Sequence, residues 1–98
     1  MSRIAVHPAR EMAALGLVGG LDDMRVLEVG CGDGRLTLAY ARRTRSVVGI
    51  DPDEKRIAEA RRTLPPDLAG RVRFEVGDVV ELLKPPAAFD AVFLSHSL

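Results

Sequence analysis

The chain has 98 residues, of which 47% are hydrophobic, and its 14 basic residues balance 14 acidic ones. This length fits one small domain, and the apolar content argues against intrinsic disorder. A net charge near zero with few aromatic residues argues against a nucleic-acid partner, and no apolar run reaches the ~20 residues of a membrane span.

Residues 1–23 are predicted to form a leader, made of a short helix and a connector. The helix covers residues 8–15, because Pro8 suits a first helical position and Met12 and Leu15 then share one face. We therefore expect the folded core to begin at residue 24.

Alternating apolar segments and helical patterns then predict a series of strands and helices. Two prolines after residue 64 end the second helix. A short helical turn is predicted over residues 80–83. The predicted strands cover about 25–29, 46–50, 72–76 and 88–94, and the predicted helices cover about 34–43 and 53–64.

The segment VLEVGCGDG joins the first predicted strand to the first helix and contains Gly30, Gly32 and Gly34. Glycine permits positive φ and lets a ligand approach the backbone, and a helix start offers free N–H groups. Asp51 ends the second strand about 20 residues later, where a nucleotide-binding α/β unit keeps its ribose-binding acid. The dinucleotide fingerprint G-x-G-x-x-G would need a small residue at position 35, where this chain has Arg35.

The E-x-G-x-G-x-G spacing that begins at Glu28, with Asp51 and Asp78 after the next two strands, resembles the class I S-adenosylmethionine-dependent methyltransferases. The resemblance implies a Rossmann-like α/β fold, a three-layer sandwich, with S-adenosylmethionine (SAM) bound across the strand ends. Residues 1–98 would be one partial domain, in which 24–98 form the SAM-binding core. The family usually adds a helix and three more strands, which choose the methyl acceptor.

The resemblance also implies roles for individual residues. Glu28 would anchor the methionine amino group, and Asp51 would accept hydrogen bonds from the ribose hydroxyls. Asp78 would accept one from the adenine amino group, with Val79 against the ring. Further contacts would come from the glycine loop, from the residue after Asp51 and from the end of the fourth strand: Gly30, Cys31, Gly32, Gly34, Pro52 and Ser95. No catalytic side chain and no metal ligand is predicted, because methyl transfer needs mainly proximity and in-line alignment.

Several of these residues have a structural alternative. Glu28 would then form a hydrogen bond to a neighbouring loop, and Asp51 would cap the second helix, although Asp53 can also cap it. Cys31 is predicted to be a small packing residue and not a reactive thiol. As the single cysteine of the chain it cannot form an internal disulfide, which is consistent with a cytoplasmic location. His96 is predicted to be a solvated loop histidine, and a catalytic role is the less favoured alternative.

The predicted sheet has the strand order 3-2-1-4 and is parallel and truncated. Its third strand alternates apolar and charged residues, as an edge strand does, whereas residues 91–94 of the fourth are continuously apolar. Only residues 95–98 follow, so we expect the outer edge of the fourth strand to be unpaired. Such an edge promotes self-association or pairing with a second half.

Three functions remain open at this point. A methyltransferase half that lacks its acceptor half is the preferred interpretation. The alternatives are half of an NAD(P)-binding oxidoreductase, which Arg35 disfavours, and a non-catalytic nucleotide-binding or interaction module. The methyl acceptor cannot be predicted from this sequence.

Overall fold

The computed structural model describes residues 5–8, 22–77 and 89–94. The strands in these ranges are β1 (Ala5–Pro8), β2 (Arg25–Val29), β3 (Ser46–Asp51), β4 (Val72–Val76) and β5 (Ala91–Leu94). The helices are α1 (Arg35–Tyr40) and α2 (Glu54–Thr63), and each is followed by a 3₁₀ turn, at Ala41–Arg43 and Pro66–Leu68. The turn predicted over 80–83 lies outside the described residues.

Local features of the sequence explain where α1 begins and where α2 begins and ends. Helix α1 begins only after Gly34, whose φ of 84° is left-handed and ends the preceding loop. Asp53 caps α2, because its side chain accepts hydrogen bonds from the N–H groups of Lys55 and Arg56. Leu64 is extended, as a residue before proline tends to be, and this ends α2 where the sequence predicts.

The sheet has the order β1-β5-β2-β3-β4, and every pair is parallel. Its last four strands reproduce the predicted order 3-2-1-4, with the alternating strand β4 at one edge. β2 pairs with β3 on one side and with β5 on the other, so the strand order reverses at β2. In such sheets ligands bind outside the carboxyl strand ends at this reversal.

The outer edge of β5 is paired, so the prediction of an unpaired edge was wrong. β1 runs alongside β5 with Ala5 opposite Ala91 and Pro8 opposite Leu94. Pro8 therefore ends a strand, and it does not start the predicted leader helix, whose remaining residues lie outside the described ranges. A row of unpaired N–H and C=O groups on β5 favours such pairing, but a four-residue strand has little periodicity for sequence analysis to detect.

Buried side chains lie on both faces of the sheet, because successive residues of a strand point to opposite sides. Val26 belongs to the cluster that packs beneath α1 and α2, together with Tyr40, Ile57 and Phe74. Among the described residues, the opposite face carries a second buried cluster, Leu27, Ile50, Phe89 and Val92. The described part of the chain thus buries side chains on both faces of the sheet, and the glycine loop lies at the carboxyl end of β3.

Candidate cofactor site

The loop between β2 and α1 depends on its three glycines. Gly30, Gly32 and Gly34 have φ values of 80°, 56° and 84°, which side chains other than glycine rarely adopt. The N–H groups of Gly30 and Cys31 both donate to the carbonyl oxygen of Ile50, at 2.8 and 3.0 Å. The predicted glycine turn is thus present, and these bonds hold it against the carboxyl end of β3.

Gly32 and Gly34 are required for different reasons. A β-carbon on Gly34 would lie 2.7 Å from the Phe74 ring and 3.3 Å from the Ala60 methyl group, inside the packed core. A β-carbon on Gly32 would lie 2.9 Å from Nη1 of Arg56, the far end of an exposed, flexible side chain. Gly34 therefore allows the start of α1 to pack against Phe74 and Ala60, whereas Gly32, which is also buried, lies beneath the Arg56 side chain.

Asp51 connects the end of β3 to this loop. Its Oδ2 accepts a hydrogen bond from the Gly32 N–H at 3.0 Å, and its Oδ1 accepts one from the Asp53 N–H at 2.9 Å. Asp53 caps α2, so Asp51 is not the helix cap that the alternative interpretation required. A carboxylate has about four acceptor positions, so this geometry leaves room for ligand hydroxyls.

Glu28 is fully buried in the central strand β2. Its Oε1 accepts hydrogen bonds from the Thr37 hydroxyl at 2.7 Å and from the Tyr40 hydroxyl at 2.5 Å. Burial raises the pKa of Tyr40 well above its usual value, and the charge of Glu28 and the hydrogen bond raise it further. These partners lie on α1 and not on a neighbouring loop, and the contact with the cofactor stays a prediction.

Cys31 has the properties of a packing residue. It is 6% exposed, and burial, followed by the charges of Glu28 and Asp51, raises the pKa of its thiol to about 12. A β-carbon on Gly49 would lie 3.0 Å from its sulfur atom, so the thiol fills the space beside β3. A protonated, buried thiol is a poor nucleophile.

The other predicted contacts are placed only in part. Pro52 is exposed directly after Asp51. Three predicted contacts lie outside the described residues: Asp78, Val79 and Ser95. His96, which was weighed as a catalytic residue, also lies outside them. Within the described ranges, no group of acidic, histidine or cysteine side chains could hold a metal ion, and no helix is long and apolar enough to cross a membrane.

Sequence analysis missed three residues beside this site. Thr37 and Tyr40 bind Glu28, and Arg56 covers Gly32. The detectable signal for the first two was a pair of hydroxyl residues three positions apart on the inward face of α1. Arg56 carried no signal, because arginine is common on exposed helix surfaces.

The chain is similar to several methyltransferases in sequence and in fold. A family model described as a methyltransferase domain matches residues 26–98. Magnesium-protoporphyrin O-methyltransferase of Rhodobacter capsulatus is 43% identical over 80 residues, which cover 80% of this chain and 34% of that protein. Mitochondrial ubiquinone biosynthesis O-methyltransferase of Rattus norvegicus is 41% identical over 79 residues, covering 78% of this chain and 23% of that protein.

A solved structure extends the similarity to the cofactor. Magnesium protoporphyrin IX methyltransferase from Synechocystis, crystallised with bound SAM, superposes with a TM-score of 0.67 and 27% identity. The matched region covers 88% of this chain and 41% of that protein. The chain thus spans about a quarter to two fifths of the length of these proteins.

Proposed function

Because the chain belongs to the methyltransferase domain family, we propose that it binds SAM at the carboxyl ends of β2 and β3 and forms the cofactor-binding half of a SAM-dependent methyltransferase. One observation carries this proposal. The Asp51 carboxylate lies 3.0 Å from the backbone nitrogen of Gly32, so the acid proposed to bind the ribose and the middle of the glycine loop share one corner of the crevice.

In this proposal, the described residues of the loop and of β3 bind and orient the cofactor. The positive φ values of the glycine loop leave backbone where a side chain would exclude a ligand. Asp51 positions the nucleoside end of the cofactor by accepting hydrogen bonds from the ribose hydroxyl groups. When bound, SAM would supply an electrophilic methyl group on its sulfonium sulfur; transfer to an acceptor breaks the sulfur–methyl bond and leaves S-adenosylhomocysteine, and the site would contribute by aligning the methyl group.

The proposal does not extend to a particular acceptor. The relatives act, as their names say, on magnesium-protoporphyrin and in ubiquinone biosynthesis. These acceptors differ, while the matched region is shared, which supports a role for this region in cofactor binding and not in acceptor choice. A cytoplasmic location stays a prediction.

Calorimetric titration tests the proposal directly. The product S-adenosylhomocysteine (SAH) and NAD are titrated into the same preparation, and we expect SAH to bind more tightly. The control is Asp67→Asn, an exposed acid paired with Arg42 at 3.0 Å, which should bind SAH as the parent chain does. Tighter binding of NAD would instead identify half of an oxidoreductase, and binding of neither ligand would contradict a nucleoside site.

A further inference from the structure

Two hydroxyl groups on α1 hold the carboxylate that lies beneath the glycine loop. We infer that Tyr40 and Thr37 are positioning residues of the cofactor site, whose hydroxyls fix the Glu28 carboxylate as the negative group that attracts the cationic amino-acid end of the cofactor. This inference rests on the proposed function and adds two residues to it. Neither residue would touch the cofactor, since both act through Glu28.

The position of Glu28 in the sheet is the first argument. It pairs with Gly49 of β3 on one side and with Phe93 of β5 on the other, and it precedes Gly30 by two residues. It therefore lies at the reversal of strand order, where the crevice opens. Asp51 occupies the β3 side of that crevice, so a ligand whose ribose lies at Asp51 extends its other end over β2.

The chemistry of the two donors is the second argument. The Tyr40 and Thr37 hydroxyls are neutral, so their hydrogen bonds stabilise a carboxylate without cancelling its charge. The field of this charge reaches the loop above, because Glu28 contributes to the raised pKa of Cys31. SAM and SAH both carry an α-ammonium group, and a fixed negative charge of this kind favours its binding.

The Tyr40 hydroxyl can be separated from the packing of its ring. The ring makes an edge-to-face contact with Phe93, with 5.5 Å between centroids and an interplanar angle of 74°. This contact and the burial of the ring do not need the hydroxyl. Tyr40→Phe therefore removes one hydrogen bond to Glu28 and leaves the aromatic contact in place.

A comparison of two ligands separates positioning from simple stabilisation of the fold. SAH carries the amino-acid end, whereas 5′-methylthioadenosine is the same nucleoside thioether without the ammonium and carboxylate groups. Calorimetry with Tyr40→Phe should give SAH binding weaker by about three- to tenfold, which is the usual net size of one hydrogen bond, because the effect reaches the ligand only through Glu28. Binding of methylthioadenosine should stay within about twofold of the parent value, because that ligand has no group that responds to Glu28.

Matched variants complete the experiment. Thr37→Val should repeat the selective loss, and Thr37→Ser, which keeps the hydroxyl, should restore SAH binding. Thr44→Val is the control, because the buried Thr44 hydroxyl donates to the Ala41 carbonyl oxygen at 2.7 Å, at the opposite end of β3. Thermal melting measures the folded fraction of each variant, and the affinities are compared for folded protein.

Three results would overturn the inference. The first is an equal loss of affinity for both ligands in Tyr40→Phe and Thr37→Val, which would show that the two hydroxyls serve only the stability of the fold. The second is unchanged SAH binding in both variants. The third is that the parent chain binds SAH no more tightly than methylthioadenosine. The nucleoside site would then be supported, but Glu28 would have no role in binding the amino-acid end. If the parent chain binds neither ligand, the proposed function fails as well.

Discussion

The Asp51 carboxylate accepts a hydrogen bond from the backbone N–H of Gly32 at 3.0 Å, which adds a side-chain link between the end of β3 and the middle of the glycine loop. The same carboxylate also accepts the N–H of Asp53, at the start of α2. Asp51 thus holds three segments together at the point where the cofactor is proposed to bind. A change at this residue affects the shape of the site as well as its contacts.

Asp51→Ala should weaken SAH binding by about 1–3 kcal/mol, because charge-assisted hydrogen bonds to the ribose are lost. It should also lower the free energy of unfolding by about 1–3 kcal/mol, since two backbone N–H groups lose their acceptor. Calorimetry and urea denaturation measure the two effects. Asp51→Asn keeps one oxygen acceptor, so its SAH affinity and its stability should lie between those of the parent chain and Asp51→Ala. Normal SAH binding by Asp51→Ala would show that Asp51 only stabilises the loop.

Gly34→Ala should cost much more stability than Gly32→Ala. Both substitutions place alanine in a left-handed conformation, at about 1–2 kcal/mol each. Only the alanine at position 34 also meets the Phe74 ring and the Ala60 methyl group, which adds about 1–3 kcal/mol of overpacking. Urea denaturation gives both values. SAH titration of the folded variants should give the larger loss of affinity for Gly32→Ala, because the Gly32 N–H donates to the carboxylate of Asp51. Equal stability losses would contradict the packing role of Gly34.

Cys31 should be unreactive in the folded chain. Its thiol pKa of about 12 keeps it protonated at pH 8, so a disulfide reagent should label it far faster in denaturant than in buffer. Because the folded pKa is raised, the stabilising contribution is complete below the usual thiol pKa of about 8.5 and is lost as the pH rises toward 12. The stability of the parent chain should therefore fall relative to Cys31→Ala between pH 8 and 11. Rapid labelling of the native chain at pH 8 would contradict the burial.

The ion pair between Arg25 and Asp90 should contribute to stability except in strong acid. Both oxygens of Asp90 accept hydrogen bonds from the Arg25 side chain, which holds the Asp90 pKa at about 2. A lowered pKa means that this contribution is present above the usual value of about 3.9 and disappears as the pH falls through about 2. Asp90→Asn should thus be less stable than the parent chain at pH 7 and similar to it near pH 2. Asp67→Asn, at a more exposed pair, is the control, and an effect of Asp90→Asn that does not depend on pH would contradict the assignment.

Removal of residues 1–8 should promote self-association. The deletion takes away β1 and leaves the outer edge of β5 unpaired beside an apolar strand. Size-exclusion chromatography with light scattering should then detect dimers or larger species. Removal of residues 1–4 is the control, because it leaves β1 intact. Identical elution of the two truncated chains would show that β1 does not protect this edge.

Local patterns determined the parts of this protein that depend on neighbours in sequence. The bounds of β2 and β4 follow from apolar runs and alternation, and the end of α2 follows from Pro65. The three glycines predicted the left-handed loop, because no other residue adopts that conformation readily. The E-x-G-x-G-x-G spacing, with Asp51 and Asp78 after the next two strands, was sufficient to identify the family.

Only the tertiary structure decided which distant residues meet. It paired Ala5 with Ala91, and it gave the buried carboxylate of Glu28 its two donors on α1. It also separated the packing of Gly34 against Phe74 and Ala60 from that of Gly32 beneath Arg56. Sequence patterns report conformational preferences over a few residues, whereas a buried charge or an open strand edge takes its partner from whichever segment the fold brings near, so these contacts are not encoded in any local pattern.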